Sequence, residues 1–280
     1  MKTALSTVIY KQAHPYLQDL LTSVDNQSDK DFDLLIINDN YTKEELEEIE
    51  TQIQSTVHGI NVHIEDLSER KLSIAGTRIE MLRTAKHLGY DLAVLVDADD
   101  TISPDRVAQY RKACQLDKES VFFYNKLVTE DGTAVFNLLP DITDNHKALA
   151  QGNFLGLSTT GIRIDKLSDA FLDSLYEGDC PVFDWYLFTR ILADVGYGRL
   201  VNTAATIYRI YDDNIAGVGR DLKKEYDIKQ THYSNLAKRY DYYKYLLDKL
   251  NELDLTTLKL SDTHQGYWWS DIQMEDSYEI

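Results

Sequence analysis

The 280-residue sequence has little cysteine, little proline, a deficit of positive charge and no long apolar run. Its two cysteines, Cys114 and Cys180, are far apart and form no CxxC pair, which argues against a disulfide framework or a zinc-thiolate site. Four prolines and 13 glycines are too few for long disordered linkers. No stretch approaches the roughly 20 apolar residues of a membrane helix, and the start lacks a signal-peptide pattern. We therefore expect a folded cytoplasmic protein.

The charge balance excludes one class of partner. Asp and Glu number 47 against 29 Lys and Arg, which gives a formal net charge of -18. A surface this acidic repels the phosphate backbone of nucleic acids. A small phosphorylated ligand stays compatible with the composition, but its charge must be met locally, by a metal ion or by a few placed cationic side chains.

The first hundred residues alternate between apolar runs and amphipathic segments. The apolar runs cover residues 4–10, 33–39, 59–65 and 92–96. This order of strands and helices predicts an α/β fold with a doubly wound, mostly parallel sheet. Ligands of such sheets bind beyond the carboxyl ends of the strands. Because Asp39 and Asp97 both follow strands, we expect them to face one crevice.

The second half is less regular, and its last helix has several interpretations. We predict a hairpin over 120–138, a strand over 154–164, a helix over 182–195, a strand over 199–208 and one long helix over 222–250. Tyrosines recur along the last helix at steps of three and four residues. Such a stripe suits packing on the protein's own core, a homodimer contact or a membrane surface.

The sequence Asp97-Ala98-Asp99-Asp100 follows the fourth predicted strand. Carboxylates beside a buried strand are costly unless they are paired, hydrogen-bonded or bound to a metal. Asp97 and Asp99, two residues apart, suit a hard cation such as Mg²⁺ or Mn²⁺, which would bridge to a diphosphate. The alternative is a solvated turn that caps the helix beginning near Ser103.

Four phrases, in this order, resemble the inverting glycosyltransferases of family 2, which have the GT-A fold. The phrases are residues 23–27 (SVDNQ), 35–39 (LIIND), 73–78 (SIAGTR) and 96–100 (VDADD). The resemblance implies a glycosyltransferase domain over 1–221 and a C-terminal helical appendage with a tail over 222–280. Within the domain, it implies a nucleotide-sugar-binding half over 1–100 and an acceptor half over 101–221.

The resemblance also implies roles on the nucleotide side. Asp39 matches the Asp that contacts the nucleotide base, and Arg78 matches an Arg near the nucleotide. Thr7 and Ile9 of the first strand would line the base pocket. The alternatives are a surface helix position for Arg78 and plain core packing for Thr7 and Ile9.

Further roles follow for the acidic residues. By the same resemblance, Asp97 lies near the ribose and the metal, Asp99 binds the metal and Asp100 lies near the donor sugar. Asp184, in the phrase Phe183-Asp184-Trp185, matches the catalytic base that takes the acceptor proton. The alternative for Asp184 is a helix N-terminal charge favoured by the macrodipole. Trp185 is either an acceptor platform or a core residue.

Two departures from the family pattern limit these assignments. The family's usual Pro and Asn after the first strand are missing from residues 10–13. A Tyr at 211 replaces the family's His near the diphosphate and metal, which puts a third protein ligand in doubt. Past about residue 221 the resemblance ends.

The function that the resemblance implies is sugar transfer with inversion from a nucleotide-diphosphate donor to a hydroxyl of a saccharide or lipid-linked saccharide. A UDP-sugar is the favoured donor and a dTDP-sugar the second. The implied setting is surface-polysaccharide or glycoconjugate synthesis in the cytoplasm, at the inner face of the membrane. One alternative is a haloacid-dehalogenase-like phosphatase with Asp97 as nucleophile, although three strands precede this residue. A non-catalytic nucleotide-sugar-binding or scaffold protein is the other.

Overall fold

The computed structural model describes residues 1–178, 180–209, 221–257 and 265–278. Within these residues, nine strands form one sheet and eight α-helices accompany it. The strands are β1 (Thr3–Ile9), β2 (Asp33–Asn38), β3 (Asn61–Asp66), β4 (Leu92–Leu95), β5 (Thr101–Ile102), β6 (Phe122–Thr129), β7 (Ile142–Thr143), β8 (Thr160–Arg163) and β9 (Gly198–Tyr208). The helices are α1 (Leu17–Asp25), α2 (Lys43–Thr56), α3 (Ile74–His87), α4 (Arg106–Leu116), α5 (Asp169–Ser174), α6 (Phe183–Asp194), α7 (Leu222–Leu236) and α8 (Asp241–Asn251).

The sheet has the order β3-β2-β1-β4-β8-β6-β9-β5, and β7 pairs with β9. Its first four strands are parallel to one another, as the alternation of strands and helices predicts. Strand β8 is antiparallel to both β4 and β6, while β6 and β9 are again parallel. The register pairs Ile9 with Asn38, so the carboxyl ends of β1 and β2 lie side by side.

Strand β2 shows why the apolar runs are unbroken. Leu34 and Ile36 pack into a core shared with α1, α2 and α4, whereas Leu35 and Ile37 pack into a second core shared with α3 and α6. Because side chains alternate across a strand, a strand covered by helices on both faces needs apolar residues at every position. The sheet is therefore the middle layer between two cores.

Polar caps fix where two of the helices begin. At the start of α2, the Glu45 backbone N–H donates to Thr42 Oγ1 and the Thr42 N–H donates to the Glu45 carboxylate, which is the predicted capping box. At the start of α3, Ser73 Oγ accepts a 3.1 Å bond from the Gly76 N–H. The second cap sets the orientation of the first turns of α3, which carry Arg78.

The single helix predicted over 222–250 is wrong, because the structure has a helical hairpin there. Helices α7 and α8 are separated at Tyr240, whose backbone is extended (φ -132°, ψ 120°). Tyr233 on α7 and Tyr243 on α8 are both fully buried, with ring centroids 6.0 Å apart. The tyrosine stripe thus belongs to two helices that pack on the protein's own core.

Other elements of the second half are shorter than predicted. The hairpin over 120–138 consists of β6 and one bridge from Val128 to Ala134, and the strand over 154–164 is reduced to β8. Among the helices of the described residues, none combines the length and apolar character that a membrane span requires.

A buried polar network supports the carboxyl end of β4. Arg106 is fully buried; its Nε donates to Asn125 Oδ1 and its Nη2 donates to the Leu95 carbonyl, both at 2.8 Å. The Tyr110 hydroxyl donates to the Thr159 carbonyl at 2.7 Å. Because buried polar groups are costly to leave unpaired, this network holds the last residue of β4 in place directly before the acidic sequence.

We predict that Gly161→Ala destabilises the fold by about 1–3 kcal/mol, the usual cost of overpacking a core. A Cβ at Gly161 would lie 2.4 Å from Tyr110 Cδ1, and the hydrogen-bonded Tyr110 ring is held on all sides. Urea unfolding of the variant and the wild type measures the difference. Gly76→Ala is the control, since its new Cβ approaches no atom closer than 3.3 Å. Equal stability of Gly161→Ala and the wild type would contradict this packing.

Candidate active site

The carboxyl ends of β1, β2 and β4 open into a pocket of about 580 Å³. The remaining lining residues come from the start of α6, the segment 156–159 and the C-terminal tail. The charged and aromatic lining residues include Tyr10, Tyr16, Asp39, Arg78, Asp97, Asp99, Asp100, Asp184, Trp268 and Trp269. The pocket therefore joins residues from both halves of the chain, and among the described lining residues Arg78 is the one cationic side chain beside several carboxylates.

The acidic sequence after β4 makes the floor of the pocket. The Asp97 backbone N–H donates to Ser158 Oγ at 3.2 Å, and the Asp100 N–H donates to the Asp97 carbonyl in a tight turn. Asp100 is only 3% exposed. Burial, and then the charges of Asp99 and Asp97, raise the pKa of Asp100 well above its ordinary value. The turn therefore concentrates three carboxyl groups, two of them partly exposed to the pocket.

Arg78 pairs with the first of these carboxylates. It lies on α3, and its Nη1 is 3.0 Å from Asp97 Oδ1. Burial opposes the charge of Arg78, but the negative charges of Asp97 and Asp184 outweigh that cost, and the net result is a raised pKa. Arg78 is thus held as a permanent positive charge close to both Asp97 and Asp184.

Asp184 lies in the first turn of α6 and lines the pocket. Its Oδ1 accepts a 2.8 Å hydrogen bond from the Trp185 backbone N–H. Burial raises the pKa of Asp184 to about 6, although the positive charge of Arg78 acts in the opposite direction. A carboxyl group with a pKa near neutrality in a cleft is suited to take up and release protons.

Asp39 follows β2 and has a definite partner. Thr77 on α3 donates its hydroxyl to Asp39 Oδ1 at 2.8 Å, and the Asp39 N–H donates to the Ile9 carbonyl. Tyr10 and Tyr16 line the same end of the pocket. This end offers a fixed carboxylate beside aromatic rings, a combination that suits a heterocyclic ligand group.

The structure corrects the expected lining of this end. Thr7 and Ile9 are 2% and 1% exposed and do not line the pocket. Val8 and Tyr10 line it instead. The sequence predicted the position of the strand correctly, but it did not show which of its residues point into the pocket. Alternate residues of a strand point to opposite sides of the sheet.

Trp185 is not an exposed platform. Its side chain is 0% exposed, its Nε1 donates to the Leu149 carbonyl, and its ring stacks on His232 at 4.0 Å. Of the two interpretations of Trp185, the structure therefore supports the core residue.

Sequence reasoning missed the two tryptophans that do line the pocket, Trp268 and Trp269. They come from the tail, where the run Tyr267-Trp268-Trp269 in a polar segment was the only signal. Trp269 has a left-handed backbone (φ 57°), which for a non-glycine residue costs roughly 1–2 kcal/mol. Its Nε1 is also buried without a hydrogen-bond partner among the described residues, at a cost of about 1–3 kcal/mol.

The donor set of the floor fits a divalent cation only in part. Carboxylate oxygens of Asp97 and Asp99 are the ligands that Mg²⁺ and Mn²⁺ prefer. Among the described residues, however, no group of three His, Cys, Asp or Glu side chains has a metal-holding arrangement. Tyr211, at the family's His position, lies outside the described residues. An ion at this site would therefore complete its shell with oxygens of a ligand and with water.

A family model, glycosyl transferase family 2, matches residues 7–168 of the chain. The protein belongs to glycosyl transferase family 2. This membership makes it a glycosyltransferase and overturns the phosphatase alternative. The match covers the floor, Asp39 and Arg78, but ends before Asp184 and the tail.

Solved structures share the fold of this family 2 glycosyltransferase. TarS 1-349 from S. aureus in complex with UDP-GlcNAc has a TM-score of 0.56 at 15% identity, over 89% of this chain and 70% of that one. The mannosyltransferase PcManGT from Pyrobaculum calidifontis, in complex with GDP-Man and Mn²⁺, has a TM-score of 0.57 at 14% identity, over 85% of this chain and 63% of that one. Both support the GT-A fold.

The chain spans less than half of one of the solved proteins that it matches. A longer S. aureus TarS structure has a TM-score of 0.55 at 15% identity; the match covers 90% of this chain and only 42% of that one. No curated protein matches the chain significantly.

We predict that Asp184 titrates at a pH near 6 in the free enzyme, above the ordinary 3.8 of aspartate. Arg78→Met should raise this pKa further, because the positive charge that stabilises the carboxylate is lost while Asp97 remains. Carbon-13 NMR of aspartate-labelled protein measures both values, with Asp184→Asn for assignment. Arg70→Met, which removes an Arg paired with Glu80 instead, should leave the titration unchanged. A lower pKa in Arg78→Met would refute this electrostatic arrangement.

Proposed function

We propose that the enzyme transfers a sugar from a nucleotide-diphosphate donor to a hydroxyl acceptor with inversion, in one displacement assisted by a divalent cation. The observation that carries this proposal is that Asp184, with a pKa raised to about 6, lines the same pocket as the Asp97–Arg78 pair. A single displacement needs one base on the acceptor side and charge stabilisation on the leaving-group side. The pocket offers a group for each of these tasks.

The donor would occupy the wall made by β1, β2 and α3. Asp39, held by Thr77, would receive the nucleotide base beside Tyr10 and Tyr16. Asp97 would lie near the ribose and the metal, and Asp100 near the donor sugar. Arg78, already charged and close to Asp97, would stabilise the anionic diphosphate.

Asp97 and Asp99 are the residues that would hold Mg²⁺ or Mn²⁺. When bound, the cation supplies charge neutralisation for the departing diphosphate. The likeness to the mannosyltransferase solved with GDP-Man and Mn²⁺ supports this assignment at the level of the fold. The net charge of -18 is a further reason to propose a bound cation, since the protein's own negative field repels a diphosphate.

Asp184 would act as the catalytic base. Its carboxylate takes the proton of the acceptor hydroxyl as that oxygen bonds to the anomeric carbon. At the same time the bond from the anomeric carbon to the diphosphate breaks, and its electron pair stays on the phosphate oxygen. A positioned base contributes typically about 10²–10⁴-fold to such a step.

The donor class and the setting follow the family resemblance. We favour a UDP-sugar, which the TarS fragment solved with UDP-GlcNAc supports, and keep a dTDP-sugar as the second choice. The acceptor is a saccharide or lipid-linked saccharide in surface-polysaccharide or glycoconjugate synthesis, reached from the cytoplasmic face of the membrane. We keep the division into 1–221 and 222–280, with the addition that the tail returns to the pocket. Because the tyrosine stripe of α7 and α8 is buried within the chain, it gives no support to a homodimer.

A thermal-shift panel tests donor binding. With UDP, GDP, dTDP and CDP, each with and without Mn²⁺, we expect one nucleotide to raise the melting temperature only when the metal is present, because binding to the native state stabilises it by mass action. UDP is the expected nucleotide. Absence of any shift across the panel would refute the donor site. Nucleotide binding without any turnover of the matching nucleotide-sugar would instead favour a binding or scaffold protein.

Two substitutions separate the base from the metal site. Asp184→Asn should reduce transfer by at least about 10²-fold and leave nucleotide affinity unchanged, because it removes only the proton acceptor. Asp99→Ala should instead weaken nucleotide binding in the presence of Mn²⁺. Initial rates and nucleotide titrations measure the two effects.

Asp169→Asn, at an exposed position on α5, is the matched control for the loss of one carboxylate.

The pH profile gives an independent check on the base. Since Asp184 must be ionised to accept a proton, kcat/KM should fall as the pH drops through about 6. Near wild-type transfer by Asp184→Asn would rule out its role as base.

A further inference from the structure

The C-terminal tail brings two indole rings to the acceptor side of the pocket. A Cβ placed on Gly156 would lie 3.4 Å from two ring atoms of Trp268 and 3.8 Å from Asp184 Oδ2. The Trp268 ring and the proposed base therefore lie close to the same point. We assign this point to the acceptor because the proposed base lies beside it, whereas the proposed nucleotide end is made by Asp39 and the two tyrosines.

The position of Trp268 is fixed by several contacts. Its backbone forms a two-bond bridge with Asn153, at 2.8 and 2.9 Å. Its ring forms a T-shaped pair with the Phe136 ring, with 4.8 Å between the centroids. A ring held by a neighbouring aromatic ring and by its own backbone keeps a defined orientation, which a stacking surface requires.

The rest of the tail is fastened away from the pocket. The carboxylate of Glu225, on α7, accepts the backbone N–H groups of Ile272 and Asp271 at 2.8 and 3.2 Å. The Gln151 side chain donates to the Met274 carbonyl at 2.7 Å. These bonds involve no atom of either indole ring, so the tail stays anchored when a ring is removed.

Trp269 occupies its place at a local disadvantage. Its backbone is left-handed and its buried Nε1 has no partner among the described residues, yet it forms part of the pocket wall. Strain of this kind persists where the surrounding structure enforces it, and it occurs frequently at ligand-binding sites. The backbone conformation alone would favour glycine at this position.

We propose that Trp268 and Trp269 form an acceptor subsite that binds an uncharged pyranose ring by stacking, next to Asp184. This inference rests on the proposed transferase function and specifies its acceptor. Indole faces are electron-rich and attract the C–H groups of a sugar ring. The many carboxylates of the pocket disfavour an anionic group at this point. A sugar stacked on Trp268 presents its hydroxyls within reach of the Asp184 carboxylate.

The test uses the full chain loaded with UDP and Mn²⁺, or with the nucleotide that the thermal-shift panel selects. The probes are the methyl α- and β-glycosides of glucose, galactose, mannose, N-acetylglucosamine and rhamnose, followed by saturation-transfer NMR. We expect saturable binding of at least one glycoside. Trp268→Ala should weaken that binding by about tenfold or more, the effect of removing a central aromatic anchor, with nucleotide affinity unchanged.

Trp269→Gly separates ligand binding from folding. Glycine accepts φ near 57° without strain, and this relief offsets part of the packing that the lost indole made with the core and with Lys224. The variant should therefore keep its nucleotide affinity while its glycoside affinity falls. The control is Tyr278→Ala, which removes a tail aromatic that packs on Tyr242 and Tyr245, outside the pocket. It should bind glycosides as the wild type does.

The outcomes distinguish this inference from the function on which it rests. If the nucleotide binds but no glycoside does, or if Trp268→Ala and Trp269→Gly both bind glycosides with wild-type affinity, the pyranose subsite is wrong and the transferase proposal stands. If the nucleotide itself fails to bind, the proposed donor site fails first.

Discussion

The guanidinium of Arg78 determines how several carboxylates share one pocket. It lies 3.0 Å from Asp97, and its charge limits the rise in the pKa of Asp184. At an effective dielectric constant of about 20, two opposite charges about 4 Å apart attract by roughly 4 kcal/mol. An attraction of this size offsets much of the desolvation of both groups. The pocket can therefore hold the Arg78–Asp97 pair while the pKa of Asp184 stays at about 6.

The fold supplies this guanidinium through short-range and long-range constraints. The Ser73 cap starts α3, and the first turns of that helix lie over the carboxyl ends of β1 and β2. On the opposite side of the sheet, Arg106 and Tyr110 hold the end of β4, which determines where Asp97 begins its turn. Contacts on both faces of the sheet thus position one ion pair.

The sequence predicts this half of the site because its signals are local. Continuous apolar strands ending in Asp39 and Asp97, with a capped helix between them, place both carboxylates at one edge of a parallel sheet. The facing of β1 was not predictable in the same way. A continuous apolar run has no period of two, so nothing in it distinguishes Thr7 from Val8.

The other half of the site depends on contacts that leave no local pattern. The tyrosine spacing continues across Tyr240, so one helix and a hairpin look alike in sequence, although only the hairpin buries Tyr233 and Tyr243 together. The return of the tail depends on the pairing of Asn153 with Trp268, which are far apart in the chain. A hydrophobic run in a polar tail indicates that its side chains are buried, but it does not indicate which part of the protein they pack against.

The tail also shows how the protein tolerates a costly conformation beside its proposed base. Trp269 carries a strained backbone and an indole N–H that has no partner in the described part of the chain, and both features oppose folding. The compensation lies one turn of chain further on, where Glu225 receives two backbone N–H groups and pairs with the buried Lys229 at 3.7 Å. Lys229 in turn donates to the Gln151 carbonyl at 2.8 Å, two residues before Asn153. Because Glu225 and Lys229 hold both sides of the Trp268 bridge, the tail and the segment 151–156 form one unit. The family match ends at residue 168 and therefore describes only part of the residues that line the pocket.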